Sequence, residues 1–375
     1  MKNELCRMTG AEFPLFAFSH CRDVVAAVSR AGGFGVLGGS GFTPDTLEEE
    51  LAWIDAHVDG KPYGIDILIP ENQPVAVDAS LEALAAKIPQ RHVAFTVELL
   101  ASHGISIDPG QVISKRRPPT MPDVGEALMD VAFRHPIRLI ANALGVAPPS
   151  MIERGKEHGV PVAALVGAKE HAVRQLEAGV DIIVAQGGEA GGHCGEVSTL
   201  VLVPEVVRAV NAIRPVPVLA AGGIMTGEQM AGVMAMGAQG AWTGSVWLAT
   251  VEAETSPAFR EKMVAASSRD TIRSKARTGK YSRQLRSKWH EAWEGPDSPG
   301  SLPMPLMPML TIEPFAAIER AAEAGSPDAR ELVSYFVGQG VGLVESVQGA
   351  AGVVQEFKEG FAAALGTMLE TIGEG

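Results

Sequence analysis

Cysteine is scarce in this chain. Cys6, Cys21 and Cys194 are the three in 375 residues, and their spacing builds neither a disulfide framework nor a Cys-rich metal site. Basic charge is in deficit, with 31 Lys+Arg against 44 Asp+Glu and a net charge of −13. That balance argues against nucleic acid as a main partner, because phosphate binding needs clustered positive charge. No apolar run approaches the roughly 20 residues that span a bilayer. The opening Met1–Phe13 lacks the apolar core of a signal peptide. These absences predict a cytoplasmic protein with no membrane partner. Charged residues are only 20% and hydrophobic ones 46%, which excludes global disorder and coiled coil. Aromatics are few, at 5%, while glycine is frequent, at 42 residues. Gly-, Ala-, Val- and Ile-rich chains of this kind read as α/β proteins with close helix–sheet packing.

A rhythm runs through the first two-thirds of the chain. Short β-branched runs end in glycine or polar residues, and amphipathic helical patterns follow. The candidate strands are Pro14–Ser19, Phe34–Gly39, Tyr63–Pro70, Ile137–Gly145, Pro161–Gly167, Asp181–Gly187, Pro217–Gly223 and Gly240–Ala249. They are nearly continuous in apolar residues rather than alternating, which suits parallel strands covered on both faces. Thr43-Pro44-Asp45 opens a helix, and Leu47, Leu51, Ile54 and Val58 place its apolar face. Thr226–Gln229 reads as a capping box, with Gly237 as the helix stop. Eight such units predict an α/β fold, a (β/α)8 TIM barrel. The alternative is a doubly wound sheet, but the first strand leads into Ser19-His20-Cys21-Arg22-Asp23 with no glycine fingerprint.

Two stretches break the rhythm. Glu71–His135 is too long for a simple connection and predicts a helical insertion at the rim after strand 3, although His92–Leu100 also reads as a strand. Beyond about Thr250 a helical C-terminal extension is expected. It holds a basic stretch from Arg269 to Lys288, which reads either as a solvated face or as contact with a phosphate-bearing ligand or acidic partner. It also holds a Pro/Met loop, Leu302–Leu310, which reads as core cover or as the lining of an apolar cavity.

The residues that carry chemistry cluster at expected strand ends. Ala185–Glu196, AQGGEAGGHCGE, follows the sixth strand. Its glycines let backbone approach a flat ligand closely. Gln186 can bond a heteroaromatic edge. His193 is a proton carrier near neutral pH, or a loop histidine that caps a helix or meets solvent. Gly222 and Gly223 after strand 7, with Thr243, Gly244 and Ser245 after strand 8, supply N–H and hydroxyl groups where barrels often hold a phosphate. Glycines that merely permit tight turns would look the same.

Three stretches resemble the nitronate monooxygenase (2-nitropropane dioxygenase) family of FMN-dependent TIM barrels. Ala31–Gly39 is similar to the family's A-G-G-[LF]-G-x-[LI]-G, Ala185–Glu196 contains its Q-G-x-E-A-G-G-H, and Val218–Thr250 follows its strand 7 and 8 loops. The resemblance spans residues 12–255 and is weak in 71–135 and after 255. It implies noncovalent FMN bound by Gln186, Gly191, Gly192, Gly222, Gly223, Thr243, Gly244 and Ser245, with His193 over the flavin as catalytic base. It implies a small-molecule substrate, with O2 or NAD(P)H as co-substrate, and leaves homo-oligomer formation open. The chain departs from the family at three places. Ala17, Phe18 and Ser19, followed by His20, stand where A-P-M contacts the flavin through its backbone. Asp66 replaces an asparagine, and Cys194 replaces a frequent arginine.

The implied reaction is oxidation of nitronates or nitroalkanes with O2 to a carbonyl compound and nitrite. A second reading is an NAD(P)H-dependent flavin reductase acting on enoyl thioesters or quinones. Gly192–Thr199 is also similar to the G-G-H-x-G-E-x-x-T stretch of FabK-type enoyl reductases. A third is a barrel like IMP dehydrogenase with Cys194 as nucleophile; a barrel without chemistry is the fourth. The expected division is an FMN-binding barrel over 1–255, interrupted by a 71–135 insertion, and a lid region over 256–375.

Overall fold

The computed structural model describes residues 1, 3–69, 80–116 and 122–373. Eight parallel strands close on themselves: β1 (Leu15–Ser19), β2 (Phe34–Gly38), β3 (Tyr63–Asp66), β4 (Ile140–Asn142), β5 (Val162–Val166), β6 (Ile182–Gln186), β7 (Val218–Ala221) and β8 (Gly240–Thr243). The ring is sealed where β8 pairs with β1, Leu15 opposite Ala241 and Ala17 opposite Thr243. The expected (β/α)8 barrel is the one observed.

Its two faces explain the missing alternation. Inward side chains, among them Phe16, Phe34, Val184, Leu219 and Trp242, form one cluster inside the barrel. Phe16 stacks on Phe34 with ring centroids 4.6 Å apart. Outward side chains such as Ala17, Ile65, Ile183 and Ala220 join the helix layer in a second cluster. Both faces are dry, so both carry apolar residues. A short helix that the sequence reading did not include, Glu4–Thr9, adds Leu5 and Cys6 to the interior cluster. Asn3 anchors it to the Gln239 carbonyl at 2.6 Å.

Most strands are shorter than their apolar runs. The eighth run, expected through Ala249, stops at Thr243 and becomes a 3-10 turn over Ser245–Ala249. The Trp247 indole N–H donates back to Thr243 O and Oγ1, at 3.2 and 2.9 Å, and folds the chain over the strand end. The third strand ends at Asp66; its expected last residue, Pro70, lies outside the described residues, as do 71–79 and 117–121 of the expected insertion. His92–Leu100 is not a strand. It lies in a helix, Gln90–Ala101, whose buried His92, Val93, Thr96 and Leu100 keep a helical period. The β-branched residues that suggested a strand serve here as one face of a helix.

The described part of the insertion and the C-terminal extension share a core of their own. Leu84, Val93, Leu100 and Val112 pack with Trp289, Trp293, Met307, Leu310 and Phe315. The extension is helical, with Leu306–Glu323 and Ala350–Ile372 the longest pieces, but it also holds an antiparallel hairpin of β9 (Thr271–Ser274) and β10 (Ser282–Leu285). This hairpin was not expected. The last helix returns to the barrel, where Val353, Val354, Phe357 and Phe361 join the outer cluster. Among the described residues no helix is long and apolar enough to cross a membrane.

The return of that helix depends on Gly227. A Cβ there would overlap the Phe357 carbonyl and the Phe361 amide. Gly227→Ala is therefore expected to lose about 1–3 kcal/mol, the usual range for overpacking. Gly232→Ala, in the same helix with nothing within 4 Å of its Cβ position, should be neutral or gain about 0.5–1 kcal/mol. Urea unfolding of the two variants checks the contrast.

Candidate active site

The strand ends and the C-terminal extension enclose a cavity of about 750 Å³, within the range of small-molecule and cofactor sites. Phe18, Ser19, Asp66, Gln186, Gly191, Gly192, His193, Gly222, Gly223, Thr243, Gly244 and Ser245 all line it. Ala17 does not. Its side chain is fully buried in the cluster between barrel and helices, because residues on a strand alternate in direction and Ala17 points outward.

At the end of β7, Gly222 and Gly223 are consecutive left-handed residues, with φ of +113° and +70°. Their N–H groups, and that of Gly244, make no hydrogen bond to protein among the described residues. Free N–H groups in such a turn form a concavity suited to an anion. Nothing lies within 4 Å of a Cβ placed on Gly244. Ser245 Oγ accepts from the Gly338 N–H at 2.8 Å and keeps its own hydrogen for a ligand.

The glycine-rich loop after β6 is anchored at both ends. Glu189 accepts from the Thr199 N–H and hydroxyl, each at 2.9 Å, and so fastens the loop to the start of helix Thr199–Ile213. Gly191 lets the backbone of Val337 and Gly338 approach; a Cβ would stand 2.8 Å from them. Gly192 exchanges two backbone hydrogen bonds with Arg283 of β10, at 3.0 and 2.8 Å. The Arg283 guanidinium donates twice to the Gly188 carbonyl, at 2.9 and 2.7 Å.

This places the basic stretch. Neither reading of Arg269–Lys288 holds for its inner members. Arg283 and Arg273 hold the glycine loop, with Arg273 donating to the Cys194 carbonyl at 3.5 Å. Arg277 lies 4.0 Å from the Phe315 ring centre and 4.8 Å from that of Phe336, and donates to the Ser334 carbonyl at 2.9 Å. Lys280 and Tyr281 reach the cavity wall.

His193 Nε2 lies 2.8 Å from Thr278 Oγ1. The one hydrogen of the Thr278 hydroxyl is within reach of both the Lys280 carbonyl, at 3.0 Å, and His193 Nε2. When it serves Lys280, Nε2 carries the ring hydrogen and Nδ1 is a lone pair; when it serves His193, the two nitrogens exchange roles. Burial, with the Lys280 charge adding to it, holds the imidazole below its ordinary pKa. His193 is an exposed residue that lines both the large cavity and a smaller one beside Gln186. The site thus presents a neutral base at neutral pH.

Asp66 is 4% exposed, and its Oδ1 has no partner. Burial raises its pKa to about 7, opposed only by the Ala143 backbone. Cys194 does not line the large cavity; it borders a smaller one of about 310 Å³, beside Gln186 and His193. Its thiol donates to the Gly188 carbonyl at 3.5 Å, and burial raises its pKa. A thiolate nucleophile of the IMP-dehydrogenase kind has no support in this arrangement. The Pro/Met stretch is a loop only as far as Pro305 and from Leu306 is the first turns of helix Leu306–Glu323. It both lines the cavity, through Met304, Pro305 and Pro308, and joins the core, through Met307 and Met309.

A family model described as nitronate monooxygenase matches residues 16–360. The chain belongs to the nitronate monooxygenase family. The match runs well past 255 and takes in the hairpin. The chain is 50% identical over 382 residues to a Mycobacterium tuberculosis protein provisionally named as a monooxygenase, covering 100% of this chain and 98% of that one. A Staphylococcus aureus protein named as a probable nitronate monooxygenase is 28% identical, covering 80% and 83%. FabK from Thermotoga maritima is similar in structure, with a TM-score of 0.72, 25% identity and 99% of each chain covered. Nitroalkane oxidase from Streptomyces ansochromogenes shares the fold, with a TM-score of 0.77 at 24% identity over 95% and 98%.

This member of the nitronate monooxygenase family is a flavin-dependent oxidoreductase acting on small molecules. The cavity fits a flavin. Free N–H groups at Gly222, Gly223 and Gly244 suit a phosphate, Gln186 suits a ring edge, and the orphaned Asp66 oxygen suits a hydroxyl donor.

The Lys280 charge opposes protonation of His193, so its removal has a definite sign. Lys280→Gln should raise the His193 pKa while leaving it below the ordinary value, since burial persists. An NMR titration of the His193 ring reads this directly; an unchanged or lower midpoint contradicts it.

Proposed function

We propose that the protein is an FMN-dependent nitronate monooxygenase, oxidising nitronates and nitroalkanes with O2 to a carbonyl compound and nitrite. The observation that carries this reading is the placement of His193, held by Thr278 at 2.8 Å on the wall of a cavity suited to a flavin. A nitroalkane is acidic at the carbon bearing the nitro group. His193 removes that proton, and the resulting imidazolium holds the nitronate anion by charge. Bound FMN supplies the electron acceptor and the centre that meets oxygen. The chain's own groups bind and orient. Gly222, Gly223, Gly244 and Ser245 hold the phosphate, Gln186 holds the ring edge, and Asp66 takes a ribityl hydroxyl. Backbone at Phe18, Ser19, Gly191 and Gly192, with Thr243, completes the wall. Residues 256–375 act as a lid on the 1–255 barrel and its 71–135 insertion.

A second reading, an NAD(P)H-dependent flavin reductase, is favoured by the full-length likeness to FabK. Anaerobic mixing separates the two: bleaching of the flavin by NADPH supports the reductase, and bleaching by nitronate supports the monooxygenase.

FMN should be released intact by heat or acid, and recovery of FAD or no flavin overturns its choice as cofactor. Gly244→Asp tests the phosphate site better than Gly223→Asp, whose φ of +70° adds backbone strain. The carboxylate should abolish flavin retention by repelling the phosphate, with a wild-type unfolding curve.

His193→Ala should keep FMN. Turnover of neutral nitroalkane should fall by about 10²–10⁴, the range for a positioned acid–base group. Preformed nitronate should lose much less, because its proton has already gone. Equal losses on both substrates make His193 an anion-positioning group, and no loss on either removes it from the mechanism.

A further inference from the structure

Two histidines face the large cavity, and the proposed reaction uses one. The other, His20, follows β1. Its Nδ1 lies 2.9 Å from the Gly38 carbonyl oxygen. A carbonyl only accepts, so Nδ1 carries the hydrogen. The ring rests directly on Gly38 at the end of β2; a Cβ there would come within 2.6 Å of Cε1 and Nδ1. Glycine at this position is what allows the imidazole to lie against the backbone and keep that bond. The Phe18 ring meets it edge-on, with centroids 5.2 Å apart at 79°. The orientation is therefore fixed from two sides. Burial holds the His20 pKa below the ordinary range, so the ring is neutral at neutral pH. Nε2 is then a bare acceptor, and no described protein group donates to it. The titratable groups around it are Asp66, which is the register partner of Gly38 on β3, and Cys21 and Glu254, which line the same cavity.

We propose that His20 is a second functional histidine of this site, whose Nε2 accepts a hydrogen bond from an N–H or O–H of the molecule bound in the cavity. The inference rests on the reading of the cavity as the flavin site. His20 directly follows the three residues that stand where the family pattern has A-P-M. Two sources supply a donor of that kind: the flavin, through a ring N–H or a ribityl hydroxyl, and the substrate.

The two side-chain amides separate the functions of the ring. His20→Asn keeps an N–H where Nδ1 meets Gly38 O and deletes the Nε2 acceptor. His20→Gln reaches the Nε2 position with a carbonyl. Flavin-free protein titrated with FMN, followed by steady-state kinetics on the reconstituted enzyme, reads the difference. If the flavin donates, the Asn variant should bind FMN about threefold to tenfold more weakly, the cost of one neutral hydrogen bond, and Gln should restore it. If the substrate donates, FMN affinity stays and KM rises by a similar factor, again restored by Gln. An Asn variant with wild-type FMN affinity and KM overturns the proposal. A second measurement needs no variant. In ¹⁵N spectra of the wild-type protein, the unprotonated Nε2 signal of His20 should move on adding FMN or a nitronate, and an unmoved signal overturns the inference. Wild-type protein that takes up no FMN overturns the flavin reading itself. Wild-type protein that takes up FMN beside an unchanged Asn variant overturns the His20 inference alone.

Discussion

A loop made largely of glycine cannot hold its own shape, and one wall of the large cavity hangs on such a loop. Gly187, Gly188, Gly191, Gly192 and Gly195 surround His193. Each loses more backbone freedom on ordering than any other residue type would. The compensation comes from outside the loop. Arg283 makes two backbone bonds to Gly192 and two guanidinium bonds to the Gly188 carbonyl. The Gln339 N–H donates to the Glu189 carbonyl at 2.8 Å. The same glycines that allow a flat ligand to approach thus make the loop dependent on the β9–β10 hairpin. Arginine suits this task because its planar fork reaches one carbonyl with two donors while its backbone completes the bridge.

The hairpin is in turn held by the second core. Arg277, on its connecting loop, is enclosed by the rings of Phe315, Tyr335 and Phe336, with the Tyr335 centre 5.3 Å away. A buried charge is costly unless something compensates it, and here aromatic faces and the Ser334 carbonyl do so. The result joins helix Leu306–Glu323, the segment that carries Tyr335 and Phe336, and the loop that carries Thr278. His193 Nε2 meets Thr278 at 2.8 Å. A chain of contacts thus runs from the outer core to His193, from ring to guanidinium, along the loop to the hydroxyl, and from hydroxyl to imidazole, although 85 residues separate Thr278 from His193 in sequence.

This dependence explains what could be read from the chain and what could not. The barrel was legible because each strand is apolar on both faces, a local property visible in runs such as Ile182–Gln186. The cavity-lining glycines were legible because they sit at strand ends, where local sequence decides the turn. The Ala17 side chain faces the helix layer because successive strand residues alternate in direction, so only its backbone can face the barrel mouth. Thr278, Arg277 and Arg283 were invisible as site residues. Each acts through partners far away in the chain, and Thr-Ile-Arg-Ser and Ser-Arg-Gln-Leu carry no strong strand pattern. A signal did exist. Eight basic residues within Arg269–Lys288 of an acidic chain call for partners, and for Arg277 and Arg283 these are carbonyls and rings, while Arg273 and Lys288 also meet the carboxylates of Glu196 and Glu291.

Charge then gives the site a direction. The protein as a whole is strongly acidic, so its long-range field does not favour an anionic substrate. Close to the base the sign reverses, because Lys280 lies on the cavity wall and acts on His193. Burial chiefly keeps the free imidazole unprotonated, and the Lys280 charge that adds to it also favours an anion bound beside it. On the proposed reading, these two effects oppose each other before proton transfer and cooperate after it. A neutral nitroalkane meets a neutral base. Once the proton has moved, the nitronate is negative and the imidazolium and Lys280 are both positive, so the anion offsets the repulsion between the two cations. The imidazolium is therefore stabilised by its own product, and the base strengthens as the anion forms. Burial sharpens this coupling, since the attraction between imidazolium and nitronate is least screened where water is excluded.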